Sequence, residues 1–244
     1  MGKTTTAVNL AAALAVAEKR VLLVDLDPQA NSSASLGVHL DREAPCIYDA
    51  LIDGVSAAEL IRESGYPFFW LLPSHIRLVG AEIELVGMNE RERVLKQALE
   101  PVRGDYDYIL IDCPPSLGLL TLNGLSAADS VLVPLQAEYF ALEGLTQLLQ
   151  TVRLVQKRLN PKLKMEGIVL TMFDPRLNLA QGVRAELHKF FPDHTFDTII
   201  RRNVRLAEAP SYGKPVVHFA ASSPGAGDYI ALAEELLSRN GRTG

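Results

Sequence analysis

The chain has 244 residues, 48% of them apolar, and carries a formal net charge of −5. That length and apolar content support a substantial core, and with no Pro/Gly/Ser-rich linker residues 1–244 are expected to form a single domain. The acidic balance excludes nucleic-acid binding by overall charge and leaves room only for a local basic patch. Cys46 and Cys113 stand far apart without metal-ligand spacing and read as reduced thiols. No apolar run is long enough to span a bilayer, and the opening residues do not read as a signal peptide.

In chain order, residues 4–17 are rich in alanine and leucine, start with three threonines and end before Lys19-Arg20, which predicts a helix with its positive charge at the C-terminal end. Val21-Leu22-Leu23-Val24-Asp25 is a short continuous apolar run, the pattern of a buried parallel strand. Similar runs occur at residues 108–112, 130–134 and 167–171, and further strands are expected at 68–72, 198–200 and 216–219. Helical patterns fill residues 57–64, 78–86, 90–99, 117–127, 142–159, 180–190 and 228–237. Strands alternating with helices predict an α/β fold whose sheet is predominantly parallel, has helices on both faces and gathers ligands at the carboxyl ends of its strands.

Gly2-Lys3-Thr4 leads directly into the first helix and matches the back half of the phosphate-loop pattern G-x-x-x-x-G-K-[ST]. In that pattern backbone N–H groups cradle phosphates, the lysine reaches the β/γ-phosphates and the hydroxyl holds Mg²⁺. A helix starting at that point suits an anion site, although an exposed N-terminus would look the same over three residues. Gly2 and Thr6 also satisfy the short myristoylation pattern, without a nearby basic segment to supply a second anchor.

Asp25 and Asp27 lie two residues apart at a strand end and so project to the same side, beside the phosphate loop. Two carboxylates there suit holding Mg²⁺-bound water and positioning a hydrolytic one; a turn that merely stops the strand is the alternative. Asp112 closes four apolar residues in a Walker B pattern, which places its carboxylate near Mg²⁺. Arg201, Arg202 and Arg205, with Lys214 nearby, form the densest basic patch. Its lack of aromatics suits phosphate contact without base readout, and a solvated loop fits the same composition.

Together these residues resemble the ParA/Soj branch of the deviant-Walker ATPases, the partition ATPases related to MinD. The strings GKTTTAVNLAAALA, RVLLVDLDPQANSS, YDYILIDCPPSLGLLTLNGLSAAD, VLVPLQAEYFALEGLTQLL, LTMFDPRLNLAQGV and RRNVRLAEAPSYGKPV carry the likeness nearly end to end. The resemblance implies a P-loop NTPase-like domain that hydrolyses ATP with Mg²⁺ in chromosome or plasmid partitioning. It implies an ATP-driven homodimer, nonspecific DNA binding, and stimulation by a ParB-type centromere-binding partner. It also implies a cytoplasmic protein, nucleoid-associated when ATP-bound.

By position, Lys3 matches the catalytic phosphate-loop lysine and Thr4 the Mg²⁺-binding hydroxyl, with Gly2 and Thr5 beside the phosphates. Asp27 matches the aspartate that orients the attacking water, Asp25 its partner near the metal, and Asp112 the Walker B carboxylate. Met172, Phe173 and Pro210 fall in segments that border the adenine. Arg202 and Arg205 lie in the DNA-binding segment, and Arg201 stands where the family often has proline.

The family reads K-G-G-V-G-K-T-T after a strand, whereas here Met1 stands in the valine's slot. The resemblance therefore predicts a sheet with its first strand missing and a gene product that starts further upstream. A chain starting at Met1 is expected to bind ATP weakly and to hydrolyse little, which would leave a fragment acting only as a binding protein. A MinD-like cell-division ATPase would need a basic amphipathic C-terminal helix. Residues 228–237 are acidic and followed by a short polar end carrying Arg239 and Arg242. They are expected to pack on the domain, so no stable membrane association is expected.

Overall fold

The computed structural model of the chain describes residues 2–138 and 141–241, so Met1 and Arg242, both singled out above, lie outside the described residues. The chain opens with α1 (Lys3–Val16) and β1 (Val21–Asp25), then passes through three short helices, α2 (Asn31–Ser35), α3 (Ile47–Leu51) and α4 (Ala57–Leu60). Strands β2 (Arg62–Glu63) and β3 (Phe69–Leu72) precede α5 (Leu78–Glu84) and α6 (Val94–Leu99). The second half runs β4 (Tyr108–Asp112), α7 (Leu119–Ala127), β5 (Ser130–Gln136), α8 (Ala141–Arg158), β6 (Lys164–Thr171) and α9 (Asn178–Phe190). It closes with α10 (Val204–Glu208), α11 (Val216–Phe219) and α12 (Pro224–Gly241), a 3₁₀ turn at Ala209–Tyr212 lying between the first two.

The expected loss of the first strand is not found. The first strand, β1, is present, fully buried, and central in a four-stranded sheet of order β2-β3-β1-β4. It pairs in parallel with β3 on one side and β4 on the other. Its alternation explains the burial, because successive side chains face opposite sides of a sheet. Leu23 packs with Leu10 and Leu14 of α1 and Tyr229 and Leu232 of α12, while Leu22 and Val24 pack with Ile47, Leu51, Leu78 and Leu95. A second, two-stranded sheet joins β5 to β6 in parallel, under Leu145 of α8 and Val183 and Leu187 of α9. Leu110 of β4 and Leu132 of β5 both pack on the α1/α12 cluster, which ties the two sheets together.

Two expected strands take other forms. Residues 216–219 are helical: Asn9 of α1 accepts the Val216 N–H at 2.7 Å, and His218 stacks on Tyr66, 4.1 Å between ring centroids. Residues 198–200 form no named strand, because the N–H groups of Asp197 and Thr198 donate to the Glu235 carboxylate of α12 at 2.9 and 2.8 Å. The helix expected over 57–64 ends at Leu60, where Ile61 turns extended and leads into β2, antiparallel to β3.

Gly37, just after α2, and Gly213, after the 3₁₀ turn, both hold left-handed φ angles of 73° and 62°. A Cβ on Gly213 would stand 2.7 Å from the Gly37 Cα, a backbone atom that cannot swing away. Gly213→Ala should therefore destabilise the protein by about 2 kcal/mol or more in urea unfolding, from left-handed strain plus overpacking. Gly54→Ala, also left-handed (φ 71°) but with nothing within 4 Å of its Cβ, should cost only about 1 kcal/mol. Equal losses in the two variants would refute the close approach.

Candidate functional site

The site gathers at the N-terminus of α1 and the carboxyl ends of β1 and β4. Gly2 caps α1 in a left-handed conformation, φ 71°, with no side-chain cap and no acidic residue in the first turn. The first helical bond is Thr6 N–H to Gly2 O at 2.9 Å, so the N–H groups of Lys3, Thr4 and Thr5 precede the helical ladder. N–H groups with no hydrogen-bond partner among the described residues, together with the positive end of a 14-residue helix, suit an anion. Behind it, a Cβ on Gly2 would lie 3.2 Å from the Thr171 hydroxyl, which is buried with no hydrogen-bond partner among the described residues.

Parallel pairing sets Asp25 directly opposite Asp112. Both are buried, and each recruits a serine of α2. Ser33 donates to Asp25 through its N–H at 2.8 Å and its hydroxyl at 2.7 Å, and the Ser32 hydroxyl donates to Asp112 at 2.8 Å. Burial pushes the Asp25 carboxyl up to about 7; the Ser33 bonds oppose that shift and the Asp112 charge adds to it. Asp112 is also raised by burial and by Asp27, against the Ser32 and Thr4 hydroxyls and the Lys3 ammonium. The structure thus brings Lys3, Thr4, Asp25, Asp27 and Asp112 into one electrostatic neighbourhood.

Asp27 lies on the turn between β1 and α2. Its N–H donates to Asp25 at 3.3 Å, one carboxylate oxygen accepts the Gln29 N–H at 2.9 Å, and its carbonyl accepts the Ser74 hydroxyl at 2.7 Å. Pro28, Gln29 and Ala30 of this turn line an open cleft of ≈270 Å³ together with Ser74 and His75. Among the described residues no three His, Cys, Asp or Glu side chains form a metal cluster by themselves. Two carboxylates and a hydroxyl beside a phosphate site nonetheless suit Mg²⁺, which takes one or two carboxylates, phosphate oxygens and water.

The other expected site residues divide. Met172 is half exposed and left-handed, φ 51°, just after β6, and Pro210 is exposed on the 3₁₀ turn. Phe173 is buried among Leu135, Ile168 and Leu170, so its ring belongs to the core. Arg201 is engaged by the buried Asp228 of α12 through its N–H at 2.9 Å and its guanidinium at 2.5 Å. Arg205 pairs with Glu208 at 2.8 Å on the surface, and Arg202 and Lys214 are exposed. Sequence reasoning missed Ser32, Ser33, Ser74 and Thr171. The first two stand inside the DPQANSS string; Ser33 bonds Asp25 only eight residues back, whereas nothing local marks Ser32, whose partner Asp112 lies 80 positions on.

A carboxyl raised from its unfolded value of about 3.9 to about 7 binds a proton in the folded state that the unfolded chain has released. Its contribution to stability is full below about pH 4 and is lost as pH rises through about 7. In EDTA, the stability of the parent relative to Asp25→Asn should fall by about 2 kcal/mol between pH 5.5 and 7.5 in urea unfolding. Parallel pH profiles would show that Asp25 is ionised throughout.

A family model described as an AAA domain matches residues 1–165. The chain is 52% identical over 240 residues to the chromosome partitioning protein ParA of Myxococcus xanthus, covering 98% of this chain and 85% of that one. It is 53% identical over 238 residues to the sporulation initiation inhibitor protein Soj of Bacillus subtilis, covering 98% and 94%. Among solved structures, a cobyrinic acid a,c-diamide synthase from Mycobacterium smegmatis with bound ADP and magnesium is 37% identical with a TM-score of 0.84, covering 97% of this chain and 89% of that one. With 50% identity over 239 residues to a chromosome-partitioning ATPase Soj of Thermus thermophilus as well, this chain belongs to the ParA/Soj family of partitioning ATPases.

Proposed function

We propose that residues 1–244 form a single ATPase domain that binds ATP with Mg²⁺ and hydrolyses it to drive chromosome or plasmid partitioning. The observation that carries this reading is the convergence of Lys3, Thr4, Asp25, Asp27 and Asp112 where an uncapped helix N-terminus meets two strand ends. The α1 N–H groups and Lys3 bind the β/γ-phosphates, with Gly2 and Thr5 shaping the cradle. Mg²⁺, when bound, neutralises charge that develops on the transferred phosphoryl group, and Thr4, Asp25 and Asp112 are the groups that would hold it. Asp27 orients the attacking water from the turn beside the phosphates. Met172 and Pro210 border the base.

The 52% and 53% identities to partitioning proteins favour this reading over the amidation that the name of the Mycobacterium smegmatis structure suggests. The ATP-bound form is a homodimer that holds DNA without sequence preference, in the cytoplasm and on the nucleoid, and a ParB-type centromere-binding partner stimulates its hydrolysis and release. No described helix is long and apolar enough to cross a membrane. In α12, Tyr229, Leu232, Ala233 and Leu236 are buried in the core with α1, which leaves those side chains no membrane face to present and disfavours the MinD-like reading.

Lys3→Ala and Asp27→Ala should each lower ATP turnover by at least about tenfold, Lys3→Ala with weakened nucleotide affinity and Asp27→Ala without it. Parent-like turnover in both variants would remove the site assignment. On DNA, Arg202→Ala should weaken binding equally across sequences and reduce the salt dependence of the affinity by about one unit of slope. Arg201→Ala should affect folding stability more than DNA affinity, because its guanidinium is already held by Asp228. An unchanged slope for Arg202→Ala in salt titrations would take the arginine off the DNA.

A further inference from the structure

We infer that Ser74, on the loop between β3 and α5, is a positioning residue for ATP hydrolysis that acts through Asp27. This rests on the reading of Asp27 as the residue that orients the attacking water. Ser74 is 1% exposed, and its hydroxyl and its N–H both bond to residues of the site. Its hydroxyl donates to the Asp27 carbonyl at 2.7 Å, and its N–H donates to the Ser33 hydroxyl at 3.1 Å. The Ser33 hydroxyl in turn donates to Asp25 at 2.7 Å, and Asp25 accepts the Asp27 N–H at 3.3 Å. The four residues close a ring of hydrogen bonds in which Asp27 is gripped through its backbone on both sides.

The remaining support of Asp27 is local. Its carbonyl also accepts the Ala30 N–H at 2.9 Å, and its carboxylate takes the Gln29 N–H at 2.9 Å, both from the turn it sits on. That turn includes Ala30 in a left-handed conformation, φ 52°, which is strained for a residue with a side chain. A turn that carries strain and holds itself by two short-range bonds needs an outside fixture. Ser74 is that fixture, because it belongs to a different segment, anchored by the Pro73 carbonyl accepting the Ile47 N–H at 2.9 Å. Buried hydrogen-bonded supports of this kind fix geometry to the tolerance that in-line attack by water requires, and their loss typically costs 10- to 100-fold in activity.

Because Ser74 touches neither the α1 cradle nor the Asp112 carboxylate among its hydrogen bonds, its removal should spare nucleotide binding. In Ser74→Ala, kcat for ATP should fall by about tenfold, while KM and the Kd for a fluorescent ATP analogue with Mg²⁺ stay within about twofold. Should the alanine variant not fold, Ser74→Cys, whose thiol is a weaker donor, carries the same test with a smaller drop in kcat. A kcat within about twofold of the parent, or a fall in kcat matched by an equal loss of nucleotide affinity, overturns the inference. Asp27→Ala assayed alongside separates the two levels. Parent-like turnover in Asp27→Ala defeats the reading on which the inference rests, whereas a loss there with full activity in Ser74→Ala defeats the inference alone.

Discussion

Two carboxylates lie side by side on adjacent parallel strands, Asp25 opposite Asp112, in a sheet interior that water scarcely reaches. A buried carboxylate is costly unless it is protonated, hydrogen-bonded or matched by a cation, and two together are worse because their charges repel. Everything around the pair answers that constraint. α2 lends two serine hydroxyls, and Lys3 and Thr4 come from the first turn of α1. Burial keeps both carboxyls above their ordinary range even so, which is the electrostatic state that a divalent cation would relieve.

The aim of α1 at this pair is set from the far end of the chain. Its Thr6 hydroxyl meets the Tyr229 hydroxyl of α12 at 3.2 Å, and its Asn9 side chain joins the Thr5 carbonyl to the Val216 N–H. Tyr229 is among the largest fully buried side chains. Packing that reads as ordinary core therefore decides where the positive end of a helix points. The same holds for α2, whose trailing Gly37 is pressed against Gly213, fixing the helix that brings Ser32 and Ser33 to the carboxylates.

These dependencies explain what was legible in the sequence. Asp25 and Asp112 announce themselves because each ends an apolar run of the kind that a parallel strand covered by helices requires. Lys3 and Thr4 are legible through the helix that follows them. Ser74 and Thr171 are not, since a serine in a loop and a threonine at a strand end carry no periodic signal and their roles rest on contacts with residues tens to hundreds of positions away. Residues 216–219 misread as a strand for a related reason. Their β-branched pair argues for extension, but the Asn9 amide and the Tyr66 ring, both remote, reward a helical turn. Within the basic patch Arg201 looks like its neighbours in sequence, yet it alone is paired with a buried aspartate, 27 positions on, which no local pattern signals.

Phosphoryl transfer needs little covalent chemistry from a protein and a great deal of placement. The division of rigidity in this molecule follows that demand. The proposed phosphate cradle and the carboxylate pair sit on a helix and two paired parallel strands, whereas Asp27, proposed to orient the attacking water, sits on a turn. Turns can be repositioned at low energy. A turn left to itself would place its carboxylate too loosely for in-line attack. Tying its backbone through the buried hydroxyl of Ser74, from a separate segment of the chain, supplies the fixed geometry that the turn's own short-range bonds do not.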